Sequence, residues 1–482
     1  MLPVLFPALP VAVSRPTLRM ERPELQATIG VAFEGALDNL LRTNTVGADP
    51  KVYNTTGLMR GTRFFRAGGG YAQPWTRDAA VNSWNAGSLL APEVARDTLF
   101  AVTRPDGTRG PVVQRDDQWW DKVIWIVAAR NHYRVTGDRE FLRTAYGISE
   151  RTIREMRAEH YSVKEGLFLG PSFFNDGIAG YPSPPAAPDD SGSSFVLDHP
   201  GTERLMALST NALYVGAYRS LAEMARELKR HSREWDDAAR TLRARIERRF
   251  WIPARSTYGY LLHPDGTLDT SQEGSGLAFS ILFDVASAAR GRELLARAHV
   301  EPYGVTDVWP HFPRFSDERP GRHNVIVWPV VQGFWARAAA KVRDEATFAT
   351  ELTKLARLSA KHEGRFFEIY NAKTGEVDGG WQNGHRWGSE PDRTWSATAY
   401  LSMITEGLAG MRFERQGLRF EPLVPKAWGG FDLEGVLYRA ATLDIHLRRG
   451  GSGAPQMRVD GTRTRVVLPD LQGRHRIDLT IP

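Results

Sequence analysis

The feature that most constrains this chain of 482 residues is a rhythm in its connections. From about Glu21 to Gly410, apolar residues recur at three- and four-residue spacing in one stretch after another, the mark of helices with a buried face. The gaps between these stretches alternate in length. VTGDRE, LKRHSRE and KVRDEA are short, whereas Tyr161–Pro200, Val305–Asn324 and Gly364–Arg393 are long and rich in Gly, Pro and Asp. A short gap makes its two helices antiparallel neighbours. When short and long gaps alternate, every long one falls at the same end of a closed ring of hairpins. Long loops gathered at one end of a rigid scaffold are where function concentrates.

The spacing predicts helices over Leu25–Arg42, Arg77–Leu90, Gln118–Thr136, Arg139–Ala158 and Glu203–Arg230. Others are expected over Glu234–Phe250, Val330–Val342, Glu345–His362 and Ser396–Leu408, with weaker segments around 91–102, 274–298 and 305–330. That makes about twelve helices in six hairpins, an (α/α) barrel. After Gly410 the texture changes to short β-branched runs with period-two alternation, as in VLYRAATLDIHLRRG and HRIDLTIP. The expected organisation is therefore an N-terminal extended arm (1–24), a helical barrel (25–410) and a small C-terminal antiparallel β-domain (411–482).

Composition removes several function classes. There is no cysteine, so disulfides, thiolate nucleophiles and Cys-based metal sites are excluded. No His-Glu-x-x-His or extended Asp-rich pattern is present, and the expectation is that no metal and no cofactor is used. The net charge of +6 is spread along the chain without a basic run, which argues against nucleic acid. No apolar run reaches the roughly 18 residues of a membrane span, so a soluble protein, monomer or homodimer, is expected. The opening MLPVLFPALPVAVSRP lacks a basic n-region and reads as a surface arm rather than a signal peptide. The compartment stays open between cytoplasm, periplasm and secretion from a bacterium.

Tryptophan is the unusual count, at 14. Many sit beside charged residues: PWTRD, QRDDQWWD, VTDVWPH, NVIVWP, GGWQNGHRW, RTWSA. A broad aromatic face beside carboxylates and guanidinium groups suits a sugar, the ring stacking on C–H faces while polar groups bond hydroxyls.

Three stretches carry candidate chemistry. In RAGGGYAQPWTRDAA, Thr76 reads as an N-cap that puts Asp78 in the first helical turn, where the positive helix end favours a carboxylate. Arg77 beside it offers planar, directional donors, and the bland reading is a structural cap with an incidental arginine. In GLFLGPSFFNDGIAGYPSPP, Asp176 lies in an apolar, glycine-punctuated loop. It is either a carboxyl whose pKa is raised by desolvation, as a general acid requires, or an Asx-turn residue. In GRFFEIYNAKTGEVDGGWQNGHRWGSEPDRTWSATAYL, Glu368 leads into a loop carrying Trp381, Gln382, His385 and Trp387, and reads as functional rather than as a structural ion pair.

The order of these motifs resembles the six-hairpin (α/α)-barrel glycosidases, which include glucoamylases, trehalases, processing α-glucosidases, mannosylglycerate hydrolases and glycogen-debranching glucosidases. WTRDAA is similar to the glucoamylase segment whose Arg and Asp hold the terminal sugar. FFEIYNAKTG followed by TWSATAYL resembles the late glucoamylase and trehalase pattern in which the Glu is the base. NDGIAGY lies where trehalases carry the Asp general acid, and NVIVWPVVQG, with Trp328, resembles a debranching-type segment. LRFEPLVPKAW is similar to the β-domain that follows this barrel. Asp176 is not preceded by the Ser-Gly of the trehalase pattern, and the glucoamylase Trp-Glu-Glu acid motif is absent. The large N-terminal β-sandwich of the related phosphorylases is missing too.

The resemblance implies an inverting, exo-acting glycoside hydrolase on an α-linked glucoside or oligosaccharide, with Asp176 as general acid and Glu368 as general base. Arg77 and Asp78 would grip hydroxyls, Tyr71 and Trp75 shape the walls, and Gly68–Gly70 let the backbone come close. Asp116, Asp117, Asp121, Trp120, Gln382 and His385 are further candidate sugar ligands, with Trp328, Trp381 and Trp387 as aromatic contacts. Glu273 in TSQEGSG is a sugar contact and the reserve acid, followed by Asp116/Asp117. The alternatives are a non-catalytic glycan-binding protein and an inverting glycoside phosphorylase on the same barrel.

Overall fold

The computed structural model describes residues 13–182, 192–450 and 455–482. The apolar opening (1–12), part of the expected arm, lies outside the described residues, as does the tract SPPAAPDDS at 183–191 within the expected acid-bearing loop.

Among the described residues, twelve helices pair into six hairpins. They are α1 (residues 23–43), α2 (residues 76–90), α3 (Pro92–Ala101), α4 (Asp121–Thr136), α5 (Arg139–His160) and α6 (Leu208–Glu227). The second half comprises α7 (Arg233–Phe250), α8 (Gly274–Leu282), α9 (Ala288–Arg297), α10 (Pro329–Lys341), α11 (Glu345–Lys361) and α12 (residues 394–408). The even-numbered helices form an inner ring, each packed on the next, and α12 closes it against α2. The odd-numbered helices lie outside, each against its hairpin partner, with α1 on α12.

The two rings differ as their sequences require. Inner helices are apolar nearly all round: in α8, every residue from Gly274 to Ile281 is buried. The outer α7, REWDDAARTLRARIERRF, buries only the stripe Trp235, Ala239, Leu242, Ile246 and Phe250 and leaves its charges in water. Each large apolar side chain in such a stripe contributes about 1.5–3 kcal/mol on burial. The turn between α4 and α5 follows from RVTGD. Gly137 takes a left-handed φ of 72°, and the Asp138 side chain accepts from Glu140 N and Phe141 N.

Several predicted boundaries change, among them the start at Gln118, which moves to Asp121. No helix forms over 305–328, where Pro310, Pro313 and Pro320 interrupt the apolar spacing; Val308–Trp309 instead pairs with Gln272–Glu273. The segment around 274–298 splits into α8 and α9, the latter capped by Ser287. Helix α6 begins at Leu208 rather than Glu203, because Met206–Ala207 is drawn into a strand pair with Leu261–Leu262.

Beyond α12 the chain forms a hairpin (Met411–Glu414 with Gly417–Phe420) and then enters a six-stranded sheet. Its strands are β1 (Thr17–Met20), β2 (Phe431–Tyr438), β3 (Ala440–Arg449), β4 (Gln456–Val459), β5 (Thr462–Thr464) and β6 (Gln472–Ile481). The order is β1-β2-β3-β6-β4-β5, so the N-terminal segment supplies an edge strand. Pairing is antiparallel except for β3 with β6, which run parallel from Ala440↔Gln472 to Arg449↔Ile481. In β3 the alternation is regular: Ala441, Leu443, Ile445 and Leu447 are buried. The sheet packs against Ser88–Leu90 at the C-terminal end of α2. It therefore lies away from the N-terminal ends of the inner helices, into which the long loops lead.

Candidate active site

The long connections meet over the N-terminal ends of the inner helices and enclose a cavity of about 260 Å³. Its walls come from the loops before α2, α4, α6, α10 and α12. Of the six, only the loop before α8 contributes nothing among the described residues.

At the entrance to α2, Trp75 takes φ 37° and ψ 145°, a backbone region that L side chains avoid, and its half-buried ring lines the cavity. The cap is not Thr76, which is already helical and whose Oγ1 has no partner. The carboxylate of Asp116, forty residues on, takes that place by accepting from Thr76 N at 2.6 Å. Arg77, only 7% exposed, donates from Nη2 to Asp176 Oδ2 at 2.8 Å. Its Nη1 donates to Phe173 O at 2.8 Å and Gln118 Oε1 at 3.1 Å. Asp78 meets Arg393 Nη2 at 2.9 Å; burial nevertheless pushes its pKa up, against the pull of Arg393 and Arg77. Gly68 and Gly69 hold left-handed backbone, and a Cβ on either would strike the 390–394 segment. The glycine run thus seats one loop against another rather than against a ligand.

Asp176 has a side chain 32% exposed, open to the cavity. It forms no Asx-turn: Oδ2 accepts from Arg77 and, at 3.1 Å, from Gln118 Nε2, and Oδ1 lies 3.3 Å from His323 Nε2. Burial pushes its pKa up, but the Arg77 and His323 charges and the hydrogen bonds outweigh it and hold the group at about 2. The raised pKa expected from the apolar loop is thus reversed. His323 is itself held at about 3, chiefly by burial, so at neutral pH it is an uncharged ring and Arg77 supplies the cationic hold on Asp176. Glu368 faces two guanidinium groups: Arg322 Nη2 donates to Oε2 at 2.8 Å, and Arg393 Nε lies 3.5 Å from Oε1. Arg393 is stacked between Tyr71 and Trp395, 4.6 and 4.3 Å from their ring centres.

Residues 71–396 match the family described as the mannosylglycerate hydrolase MGH1-like glycoside hydrolase domain. The chain belongs to this family. Among curated protein sequences none matches. A solved structure named sialidase shares the fold with a TM-score of 0.66 at 14% identity, covering 88% of this chain and 38% of its own. The GH78 family rhamnosidase of Bacillus sp. GL1 follows at 0.53 and 12%, covering 98% and 44%. The GH63 mannosylglycerate hydrolase from Thermus thermophilus, in complex with Tris and D-glycerate, gives 0.56 at 17% and covers 77% of this chain and all of its own. The chain spans about two fifths of the sialidase and rhamnosidase lengths. These likenesses place the glycoside hydrolase domain in the six-hairpin barrel class.

In this hydrolase domain, Tyr71, Trp75, Arg77, Asp78, Asp116, Asp117, Asp176, Trp328, Glu368, Gln382 and Trp387 all line the cavity. Four expected sugar contacts do not. Trp120 is fully buried, edge-on to Trp119 at 5.1 Å. Glu273 is fully buried too, accepting from Ser172 Oγ at 2.6 Å and Ser209 N at 2.9 Å. Trp381 stacks under the Arg319 guanidinium at 5.1 Å, and exposed His385 stacks on Trp387 at 5.2 Å. Sequence reasoning passed over Gln118, Phe174, Arg322, His323, Arg393 and Trp395 as site residues, all of which line the cavity. The signals were there: GRHN places two donors in a turn of the long 305–324 loop, and Arg393-Thr394-Trp395 opens α12.

Proposed function

We propose that the domain is an inverting, exo-acting glycoside hydrolase acting on an α-linked glucoside or short oligosaccharide. The observation that carries this is that Asp176 and Glu368, brought by two different long loops, face one cavity with separate arginine partners. In this reading Asp176 gives a proton to the glycosidic oxygen as that bond breaks. Glu368 takes a proton from the water that attacks the anomeric carbon from the opposite face, which requires carboxyl groups about 6.5–9.5 Å apart. The cavity is smaller than the about 300–1,000 Å³ of drug-sized sites, which suits one ring with a short leaving group. The Thermus hydrolase has been solved with glucose, which fits a glucoside.

Because Asp176 is ionised in the free site, substrate must raise its pKa by displacing water from its open face before it can act as an acid. Asp121 supports a second reading of the acid. It also lines the cavity, and burial pushes its carboxyl well above the usual range despite Arg77 at 3.9 Å. Asp176→Asn and Asp121→Asn decide between them: the true acid loses far more rate on glycosides with poor leaving groups than on activated aryl glycosides. The reaction is run in phosphate-free buffer with the product anomer followed by proton NMR. Release of the inverted anomer supports the proposal. A phosphate requirement would move it to phosphorolysis, and sugar binding without turnover would make it a binding protein.

A further inference from the structure

Resting on the reading of Asp176 as the proton donor, the way its loop is held assigns a task to two tyrosines that do not line the cavity. Residues 171–182 belong to no strand, and their one regular turn is Ile178–Gly180. Every residue from Pro171 to Tyr181 is nevertheless buried except Asp176. A buried segment without a ladder must find partners for its backbone groups elsewhere.

Side chains supply them. Tyr181 turns back on its own loop: its hydroxyl donates to Asn175 O at 2.6 Å and accepts from Ser172 N at 3.0 Å. Tyr260, in the connection between α7 and α8, donates to Gly180 O at 2.8 Å and accepts from the Asn175 side-chain amide at 2.8 Å. Ser209 at the start of α6 accepts from Phe173 N at 2.9 Å, and the Ser172 hydroxyl is tied to buried Glu273. Asn175 is thus clamped at both its carbonyl and its amide. Its carbonyl shares a rigid peptide plane with the N and Cα of Asp176, so holding that oxygen orients the backbone from which the carboxyl springs. On the far side Val196 N donates to Asp176 O at 2.8 Å. Only side-chain rotation is left, and Arg77 and Gln118 arrest that.

We propose that Tyr181 and Tyr260 are positioning residues for Asp176, their hydroxyls fixing the peptide plane that enters residue 176 and so the direction from which its carboxyl meets the glycosidic oxygen. The connection before α8, absent from the cavity lining among the described residues, thereby acts on the reaction from behind the wall. Loss of such positioning is felt in turnover rather than in affinity, since a misplacement of about 1 Å can cost about 10²-fold in rate.

Tyr260→Phe and Tyr181→Phe each keep the ring and remove one hydroxyl. Tyr258→Phe, whose hydroxyl bonds Glu247 on the outer helix α7, controls for the loss of a buried hydroxyl elsewhere. Asn175→Ala, which removes the amide that Tyr260 accepts from, stands in where either Phe variant fails to fold. Rates are compared on an alkyl α-glucoside, whose leaving group needs a proton, and on 2,4-dinitrophenyl α-glucoside, whose leaving group does not. Both Phe variants should lose about ten-fold or more in kcat on the alkyl glycoside and less than about three-fold on the dinitrophenyl glycoside, with KM within about two-fold and Tyr258→Phe like wild type. Equal losses on the two glycosides, or wild-type rates in both variants, overturn the proposal. A crystal structure of Tyr260→Phe reads position without turnover: the Asp176 carboxyl should shift by about 1 Å, and an unmoved carboxyl overturns the proposal whatever the rates. If wild type cleaves neither glycoside, or Asp176→Asn shows no preference between them, the acid reading fails; the displacement then decides by itself whether the tyrosines hold residue 176.

Discussion

Two pairs of acids sit within one barrel and are treated in opposite ways. Asp176 and Glu368 line the cavity wall, and each faces arginine. Glu273 and Asp307 lie fully buried at the N-terminal end of α8, where hydroxyls and backbone N–H groups are their hydrogen-bond partners. The consequence is electrical. Asp176 is held at about 2, while burial, and for Glu273 also the charge of Asp307, pushes both Glu273 and Asp307 up. Burial alone therefore does not make an acid functional here. It favours the protonated form of Glu273, whereas at Asp176 a guanidinium neighbour favours the charged carboxylate where the cavity is open.

That contrast can be broken most sharply at Glu368. Glu368→Gln keeps the shape and removes the proposed base, so kcat should fall by about 10²–10⁴-fold or more with sugar binding retained. Turnover near the wild-type rate would remove Glu368 from the mechanism. Arg77→Met comes next: it removes the cation that holds Asp176 and should cost about 1–3 kcal/mol in urea unfolding, less than for a fully buried pair because Asp176 stays open to the cavity. It also tests the sign of the pH dependence. The depressed pKa of Asp176 contributes stability that is present above about pH 4 and lost as pH falls through about 2, and the variant should lack that acid limb.

Glu273→Gln should have a smaller effect and opposite polarity. The raised pKa of Glu273 contributes stability that is full below its unfolded value near 4.5 and lost as pH rises through its higher folded value. Melting temperature measured from pH 5 to 9 should therefore decline less in the variant than in wild type. A parallel pair of curves would mean Glu273 is not protonated in the folded state. The smallest effect separates neighbours on one loop: Trp387→Ala should raise KM several-fold, whereas His385→Ala, outside the cavity, should leave it within about two-fold.

The helical rhythm was legible because each helix records its own burial in local spacing, and α7 and α8 show the two versions of that record. WTRDAA and FFEIYN were legible for another reason: polar residues flanked by aromatics have few structural uses. What could not be read was which side of each first turn faces the cavity. Glu273 and Asp78 both sit where an inner helix begins, yet one points into the wall and the other into the cavity. The partners that decide this lie far off in sequence, Asp176 being 99 residues from Arg77 and Arg322 being 46 from Glu368. The depressed pKa of Asp176 was invisible for the same reason, since its own loop is apolar.

Trp75 carries a wider consequence. Its φ of 37° is comfortable only for glycine, a conformation that costs on the order of 1–3 kcal/mol in any other residue. A chain screened for heat resistance alone would be drawn towards glycine at position 75, and one screened for turnover would be drawn back to an aromatic wall. If Trp75 shapes the sugar site as proposed, position 75 is where thermal hardiness and catalytic performance pull against each other.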